Sequence, residues 1–68
     1  MSKTISEILK ELDLKLETVQ VVHEDDGTYH VENMKNRVSM TRGAKIAICD
    51  TKEQVVSVMT DLKRMGVK

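Results

Sequence analysis

The two histidines and the single cysteine are the residues whose types could hold a metal ion. A zinc site needs three or four Cys, His or carboxylate ligands that converge on one point. In the strand register argued below, His23 and His30 point to opposite faces of a sheet, and Cys49 lies on a distant strand. The histidines share a face only if the turn between them has a two-residue loop. We therefore expect no metal site and no bound cofactor.

Four acidic residues form a second group that could do chemistry. Glu24, Asp25 and Asp26 are consecutive, and Glu32 follows nearby. A calcium loop repeats acidic residues at alternate positions before a glycine, and catalytic carboxylates need a cleft that shifts their pKa. Because an exposed turn offers neither arrangement, we expect solvated carboxylates that pair with the basic residues of another turn, Arg42 and Lys45.

Cys49 is a candidate nucleophile because it precedes the last predicted helix, whose N-terminus can lower the pKa of a thiol. A thiol of this kind also needs a neighbouring base, and the sequence places none beside it. The three glycines fall in turns or caps, so no phosphate-binding loop is present. These features predict that the protein is not an enzyme.

Composition limits the other possibilities. The chain has 68 residues, which predicts one domain spanning residues 1–68, and its 11 basic and 11 acidic residues give no net charge. We therefore do not expect a strong electrostatic attraction to nucleic acid or to an anionic membrane. The absence of net charge favours self-association, because copies of the chain do not repel each other. No apolar run is long enough to span a bilayer. One cysteine cannot form an internal disulfide, which favours a reducing, cytoplasmic location.

An Asp-Gly pair at residues 26–27, between two β-branched segments of alternating character, predicts a β-hairpin. A two-residue loop would pair Val22 with Val31. A three-residue loop, with its glycine in the left-handed conformation, would pair Val21 with Val31. We favour the second register because it separates polar from apolar residues. It places these residues on one face: Val19, Val21, Tyr29 and Val31.

Two helices flank the predicted sheet. Thr4 and Glu7 form a capping box, and the apolar spacing that follows predicts a helix ending near Leu12 or Leu14. The last helix is expected to begin at Asp50 or Thr51 and to end at the glycine of residue 66. Its expected buried stripe consists of Val55, Val58, Met59, Leu62 and Met65. Val56 lies off this stripe and is expected to be exposed.

The first two strands are expected at about residues 17–24 and 28–33. A turn at Lys35-Asn36 predicts a third strand at residues 37–41, with Val38 and Met40 facing inward. A turn near Arg42-Gly43 then predicts a fourth strand at residues 45–49, with Ile46 and Ile48 facing inward. The expected fold class is α+β: a two-layer sandwich of helix, four-strand antiparallel meander and helix, with both helices on one face of the sheet.

The other face of this sheet is expected to be open and of mixed polarity. It should carry Gln20, Val22, Glu24, Thr28, His30, Glu32, Arg37, Ser39, Thr41, Lys45, Ala47 and Cys49. In a four-strand meander the first and third turns lie at the same end, so the acidic turn and the Arg42 turn should form one charged rim. The sequence therefore predicts a non-catalytic intracellular protein that binds a protein partner, as an inhibitor or regulator. The expected partner-binding residues are Glu24, Asp25, Asp26, His30, Glu32, Arg37, Arg42 and Lys45.

Two alternatives remain open. A nucleic-acid-binding module would use five basic residues: Lys35, Arg37, Arg42, Lys45 and Lys52. The element order is similar to that of double-stranded-RNA-binding domains, but the second helix lacks their Lys-rich start, and the sheet lacks aromatics for base stacking. A homodimer could form across sheet faces or edges. In size and layout the chain is similar to virus- and plasmid-encoded inhibitors of host machinery, including anti-CRISPR proteins.

Overall fold

The computed structural model describes residues 3–68, so the first two residues of the predicted domain lie outside it. Helix α1 spans Ile5–Glu11, and Thr4 is its N-cap. The Thr4 hydroxyl accepts a hydrogen bond from the Glu7 amide at 3.2 Å and donates one to the Glu7 carboxylate at 3.1 Å. The predicted cap is therefore confirmed, and it satisfies an amide that the first helical turn leaves without a partner.

The hairpin adopts the three-residue register. Strand β1 spans Val19–His23 and strand β2 spans Tyr29–Arg37, with Val21 opposite Val31. The turn closes with a hydrogen bond from the Glu24 amide to the Thr28 carbonyl, and Gly27 has a φ of +88°. A side chain is strained at this φ, which explains the glycine.

The predicted third strand is absent from the described chain. Strand β2 runs on through the expected Lys35-Asn36 turn as far as Arg37. The Asn33 side chain accepts a hydrogen bond from the Lys35 amide at 2.9 Å, in a stretch where the pairing of β2 with β3 is irregular. Residues 38–42 then form a tight loop, which we call the Val38–Arg42 loop. Val38 and Met40, expected inside, are exposed on it.

Strand β3 spans Gly43–Cys49 and pairs with β2, so the sheet has three antiparallel strands in the order β1-β2-β3. Its two faces are the reverse of those predicted. Ala47 lies opposite Val31 and packs against the core, and Cys49 is buried, whereas Ile46 and Ile48 are exposed. A register shift between Val31 and Glu32 leaves Ile46 as the additional residue.

Helix α2 spans Lys52–Arg64. Thr51 is its N-cap and accepts the Gln54 amide at 3.2 Å, which selects the second of the two predicted starts. The helix ends at Arg64 with Met65 as its C-cap, just before the predicted stop at Gly66, whose φ is +87°. Of its predicted stripe, Val55, Met59 and Leu62 are buried. Met65 is exposed instead, and Val56 is half-buried against the core.

One hydrophobic core joins both helices to the sheet. Its buried residues are Ile5, Leu9, Leu14, Val19, Tyr29, Val31, Cys49, Val55, Met59 and Leu62. The fold is therefore a small α+β domain with two helices and a three-strand antiparallel sheet, and the predicted four strands are wrong. That both helices cover one face stays a prediction. Within residues 3–68 no helix has the length and apolar character to span a membrane.

Candidate interaction surface

A buried carboxylate lies at the centre of the sheet face opposite the core. Side chains alternate along a strand, so Glu32 points away from the face to which its neighbour Val31 belongs. Glu32 is nevertheless only 2% exposed. Its carboxylate accepts hydrogen bonds from Gln20 Nε2 at 2.7 Å and from the Gly43 amide at 3.3 Å. A buried charge requires a cation as well as such hydrogen bonds.

Arg42 supplies that cation. Its Nε lies 2.8 Å from Glu32 Oε2, and one terminal nitrogen lies 2.5 Å from the same oxygen. The same terminal nitrogen lies 3.1 Å from the Glu24 carboxylate and 3.4 Å from His30 Nδ1. The Arg42 side chain therefore extends from the loop before β3 across Glu32 of β2 towards the hairpin turn, and it contacts two carboxylates.

The electrostatics follow from this geometry. Hydrogen bonds from Arg42 outweigh burial and lower the pKa of Glu32 from 4.5 to about 2. Hydrogen bonding to Glu32 raises the pKa of Arg42 above its ordinary value. Both groups are therefore charged across the physiological pH range, and their charges cancel locally. The pair fixes structure and leaves no proton to transfer near pH 7.

The Val38–Arg42 loop is held against the sheet by this ion pair and by smaller contacts. Gln20 Nε2 donates to the Thr41 carbonyl at 2.9 Å, and the Ser39 hydroxyl accepts the Arg42 amide at 3.0 Å. At the end of the loop, a Cβ on Gly43 would overlap the backbone carbonyl of Asn33. Only glycine permits this close approach of β3 to β2.

The secured loop presents apolar side chains to solvent. Val38 is 75% exposed and Met40 is 90% exposed. Val38, Arg42 and Lys45 line one shallow depression, and the exposed Ile46 and Ile48 follow Lys45 on β3. We call this set the apolar-basic surface: Val38, Met40, Lys45, Ile46 and Ile48, with Lys35 and Arg37 exposed at the end of β2.

The structure brings together half of the eight predicted partner-binding residues. Arg42 contacts Glu24, His30 and Glu32, and the predicted pairing of the acidic turn with Arg42 is seen at Glu24. The predicted charged rim, with the acidic turn and the Arg42 turn at one end of the sheet, is wrong. In a three-strand sheet the β1-β2 turn and the β2-β3 loop lie at opposite ends. The contact forms because Arg42 extends along the face.

The other four predicted residues lie around this cluster. Asp25 and Asp26 are exposed at the hairpin tip, and hydrogen bonds from Thr28 lower the pKa of Asp26. The side chain of Arg37 donates a hydrogen bond to the Met34 carbonyl at 3.3 Å, and Lys45 is exposed on β3.

Sequence reasoning missed the exposed apolar residues, because alternation alone assigned all four of them to the core. A buried Glu32 was also missed. No pattern in the sequence indicates either feature. The alternation of polar and apolar residues along a strand does not show whether a loop from elsewhere in the chain covers that strand.

Metal and nucleophile sites remain unsupported by the side-chain positions. Within the described chain, no three His, Cys, Asp or Glu side chains group closely enough to hold a metal ion. The ring of His23 stacks on Tyr29, with centroids 4.4 Å apart, while His30 points to the other face. Cys49 is buried, and burial raises the pKa of its thiol.

Comparisons with known proteins give no indication of function, so the proposal below depends on the side chains of this protein. No family model, no curated protein and no solved structure matches the chain.

Proposed function

We propose that the protein is a non-catalytic binding protein that recognises a protein partner through the apolar-basic surface. It acts as an inhibitor or regulator by occupying a surface of that larger partner. The single observation that carries the proposal is the exposure of Val38 and Met40 on a loop that an ion pair with the buried Glu32 secures. An intracellular location and a phage or other mobile-element origin, as in anti-CRISPR proteins, belong to the same proposal by analogy of size and layout.

The energetics of the loop support this proposal. Exposed apolar side chains gain nothing from folding, because they remain in water. Glu32 is nevertheless removed from water to pair with the partly exposed Arg42, and the desolvation of its carboxylate offsets much of the gain from that ion pair. A loop whose conformation is fixed before binding loses less entropy when a partner docks. The arrangement therefore suits recognition better than it suits stability.

Charge defines the kind of partner. The exposed cations near the apolar residues are Lys35, Arg37 and Lys45, while Glu32 is buried and neutralised by Arg42. A partner surface with apolar residues and a rim of Asp and Glu would complement this charge pattern. Methionine adapts its shape readily, so Met40 can fill an irregular apolar pocket.

Binding to nucleic acid is supported less well. Two of the five basic residues predicted for it are engaged within the protein: Arg42 with two carboxylates, and Lys52 with the Lys3 carbonyl at 2.8 Å. Titration of the protein with RNA and DNA duplexes distinguishes the two functions. Phosphate binding weakens steeply as salt rises, whereas we expect no measurable duplex binding at any salt concentration.

Capture from a native lysate of the source cells tests the proposal. The immobilised wild-type protein should retain a defined partner, and a Val38→Ser/Met40→Ser variant should not. Both side chains are exposed, so the variant should fold like the wild type, which circular dichroism verifies. Retention of the same proteins by both forms, or of none by either form, would contradict the proposal.

A further inference from the structure

Strand β1 is an edge strand without the features that usually protect an edge. In the part of the chain that the structure describes, it pairs only with β2. Its register is regular over all five residues, and it contains no Lys, Arg, Asp, Glu or Pro. Strand β3, at the other edge, has two register irregularities and carries Lys45. Bulges and lysines discourage strand pairing, so β1 is the edge open to another strand.

The backbone of β1 presents alternate residues to that edge. At its two ends, the Met34 amide donates to the Thr18 carbonyl and the Glu24 amide donates to the Thr28 carbonyl. In an antiparallel pair alternate residues form these hydrogen bonds, so the backbone groups of Gln20 and Val22 also point to β2. The amides and carbonyls of Val21 and His23 therefore point outward, with the carbonyl of Val19.

An apolar cavity of about 180 Å³ lies beside the same edge. Its lining includes Val21, on the core face of β1, and Gln20, on the opposite face, so the cavity opens at the free edge of the strand. The remaining apolar lining consists of Ile5, Leu9, Leu16, Val19 and Met59. A strand added beside β1 would place its alternate side chains next to this cavity, and small β-branched residues would suit it.

We propose that the occupant is β1 of a second copy of this chain, running antiparallel to the first. In the register proposed, Val19 lies opposite Val21 of the second copy, and the Val21 side chain of each copy enters the cavity region of the other. The same register brings Glu17, in the turn before β1, near His23 at the end of the second copy's β1. The contact is isologous, so each pair occurs twice and the assembly closes as a dimer.

Charge selects this register over its neighbour. Pairing Val21 with Val21 of the second copy would bring together Glu17 and Asp25, which lie in the turns that flank β1, and their like charges would repel. The proposed register moves these two carboxylates apart and brings Asp25 towards Lys15, which lies in the irregular segment before β1. The absence of net charge on the chain also leaves no overall repulsion between copies.

The mass in solution and amide exchange together test the dimer. Sedimentation of the full chain at micromolar concentrations should give twice the 7.7 kDa of one copy. Exchange of the Val21 and His23 amides should slow as concentration rises, since both amides point to the free edge. A mass of one copy throughout would overturn the proposal, as would a dimer in which these two amides exchange as fast as in dilute solution.

A charge exchange tests the register. His23→Glu places a second carboxylate near Glu17 of the other copy and should raise the dimer dissociation constant about fivefold. Adding Glu17→Lys should restore it, whereas Ser57→Glu, an equal change of charge on the exposed side of α2, should have no effect. Failure of the double variant to recover affinity would overturn the register. Thermal unfolding of each variant verifies that it folds.

Discussion

Arg42 and Glu32 lie in contact across the sheet face opposite the core, with Arg42 Nε 2.8 Å and a terminal nitrogen 2.5 Å from the same carboxylate oxygen. Glu32 belongs to the central strand, and Arg42 closes the Val38–Arg42 loop. The ion pair thus connects an irregular segment to the middle of the sheet. The conformation of the loop, and with it the exposure of Met40, depends on this connection.

Removal of the cation should weaken the fold. Arg42→Met leaves the Glu32 carboxylate buried without its charged partner, and we expect the Tm to fall by about 5–10 °C. Arg37→Met is the matched control, because the Arg37 side chain is exposed and its hydrogen bond, at 3.3 Å, is to the Met34 carbonyl and not to a carboxylate. It should shift the Tm by no more than about 2 °C. Equal losses in both variants would show that the ion pair does not secure the loop.

Acid should weaken the fold through Glu32. Its pKa is about 2 in the folded protein against an ordinary value of 4.5. A carboxyl group with a depressed pKa stabilises the folded state fully above its unfolded pKa, and this contribution is lost as the pH falls towards the folded value. The free energy of unfolding should therefore decline between about pH 5 and pH 2.

Urea unfolding across that pH range measures the decline. Glu32→Gln should remove part of it, whereas Glu53→Gln, on the exposed side of α2, should retain the wild-type slope. Parallel pH profiles for wild type and Glu32→Gln would contradict the assignment.

Gly43 should tolerate no side chain. Gly43→Ala introduces a Cβ that overlaps the Asn33 carbonyl, and relief of this overlap requires β2 and β3 to separate. We expect destabilisation of about 2 kcal/mol, measured by urea unfolding. Gly27→Ala is the comparison: its Cβ meets open space, and only the φ of +88° opposes it, at a cost of about 1 kcal/mol. A smaller loss at Gly43 than at Gly27 would show that the strands can adjust.

The sequence predicted well the features that depend on neighbouring residues. The helix cap at Thr4 and the left-handed Gly27 were correct, and Thr51 is one of the two starts predicted for the last helix, because each is set by local hydrogen bonding and sterics. The register of β1 on β2 was also correct, since a tight turn fixes it and only one choice separates polar from apolar residues.

Prediction failed where long-range contacts decide the structure. The sequence of residues 37–41 alternates like a strand, but the chain reverses direction in the Val38–Arg42 loop, which the contact of Arg42 with Glu32 joins to the sheet. The faces of β3 were reversed because a register shift, which no periodicity encodes, determines which residues reach the core. These two errors explain why the exposure of Val38, Met40, Ile46 and Ile48 was not predicted.

Cys49 should be unreactive in the folded protein. It is buried, and burial raises the pKa of its thiol, so little thiolate forms at neutral pH. We expect iodoacetamide to modify it only under unfolding conditions, at a rate that rises in parallel with the unfolded fraction in urea. Rapid modification of the native protein at neutral pH would show that the thiol is accessible and would reopen a redox or nucleophilic role.

The central claim is that the Val38–Arg42 loop binds a protein partner. Its most direct test is a calorimetric titration of the captured partner with wild-type protein and two matched double variants, each of which replaces two exposed residues by serine. Val38→Ser/Met40→Ser should weaken binding at least about tenfold, because it removes the apolar contacts. Asp25→Ser/Asp26→Ser, at the hairpin tip, should weaken binding less than about threefold. The opposite order, with the tip variant losing affinity and the loop variant retaining it, would contradict the account.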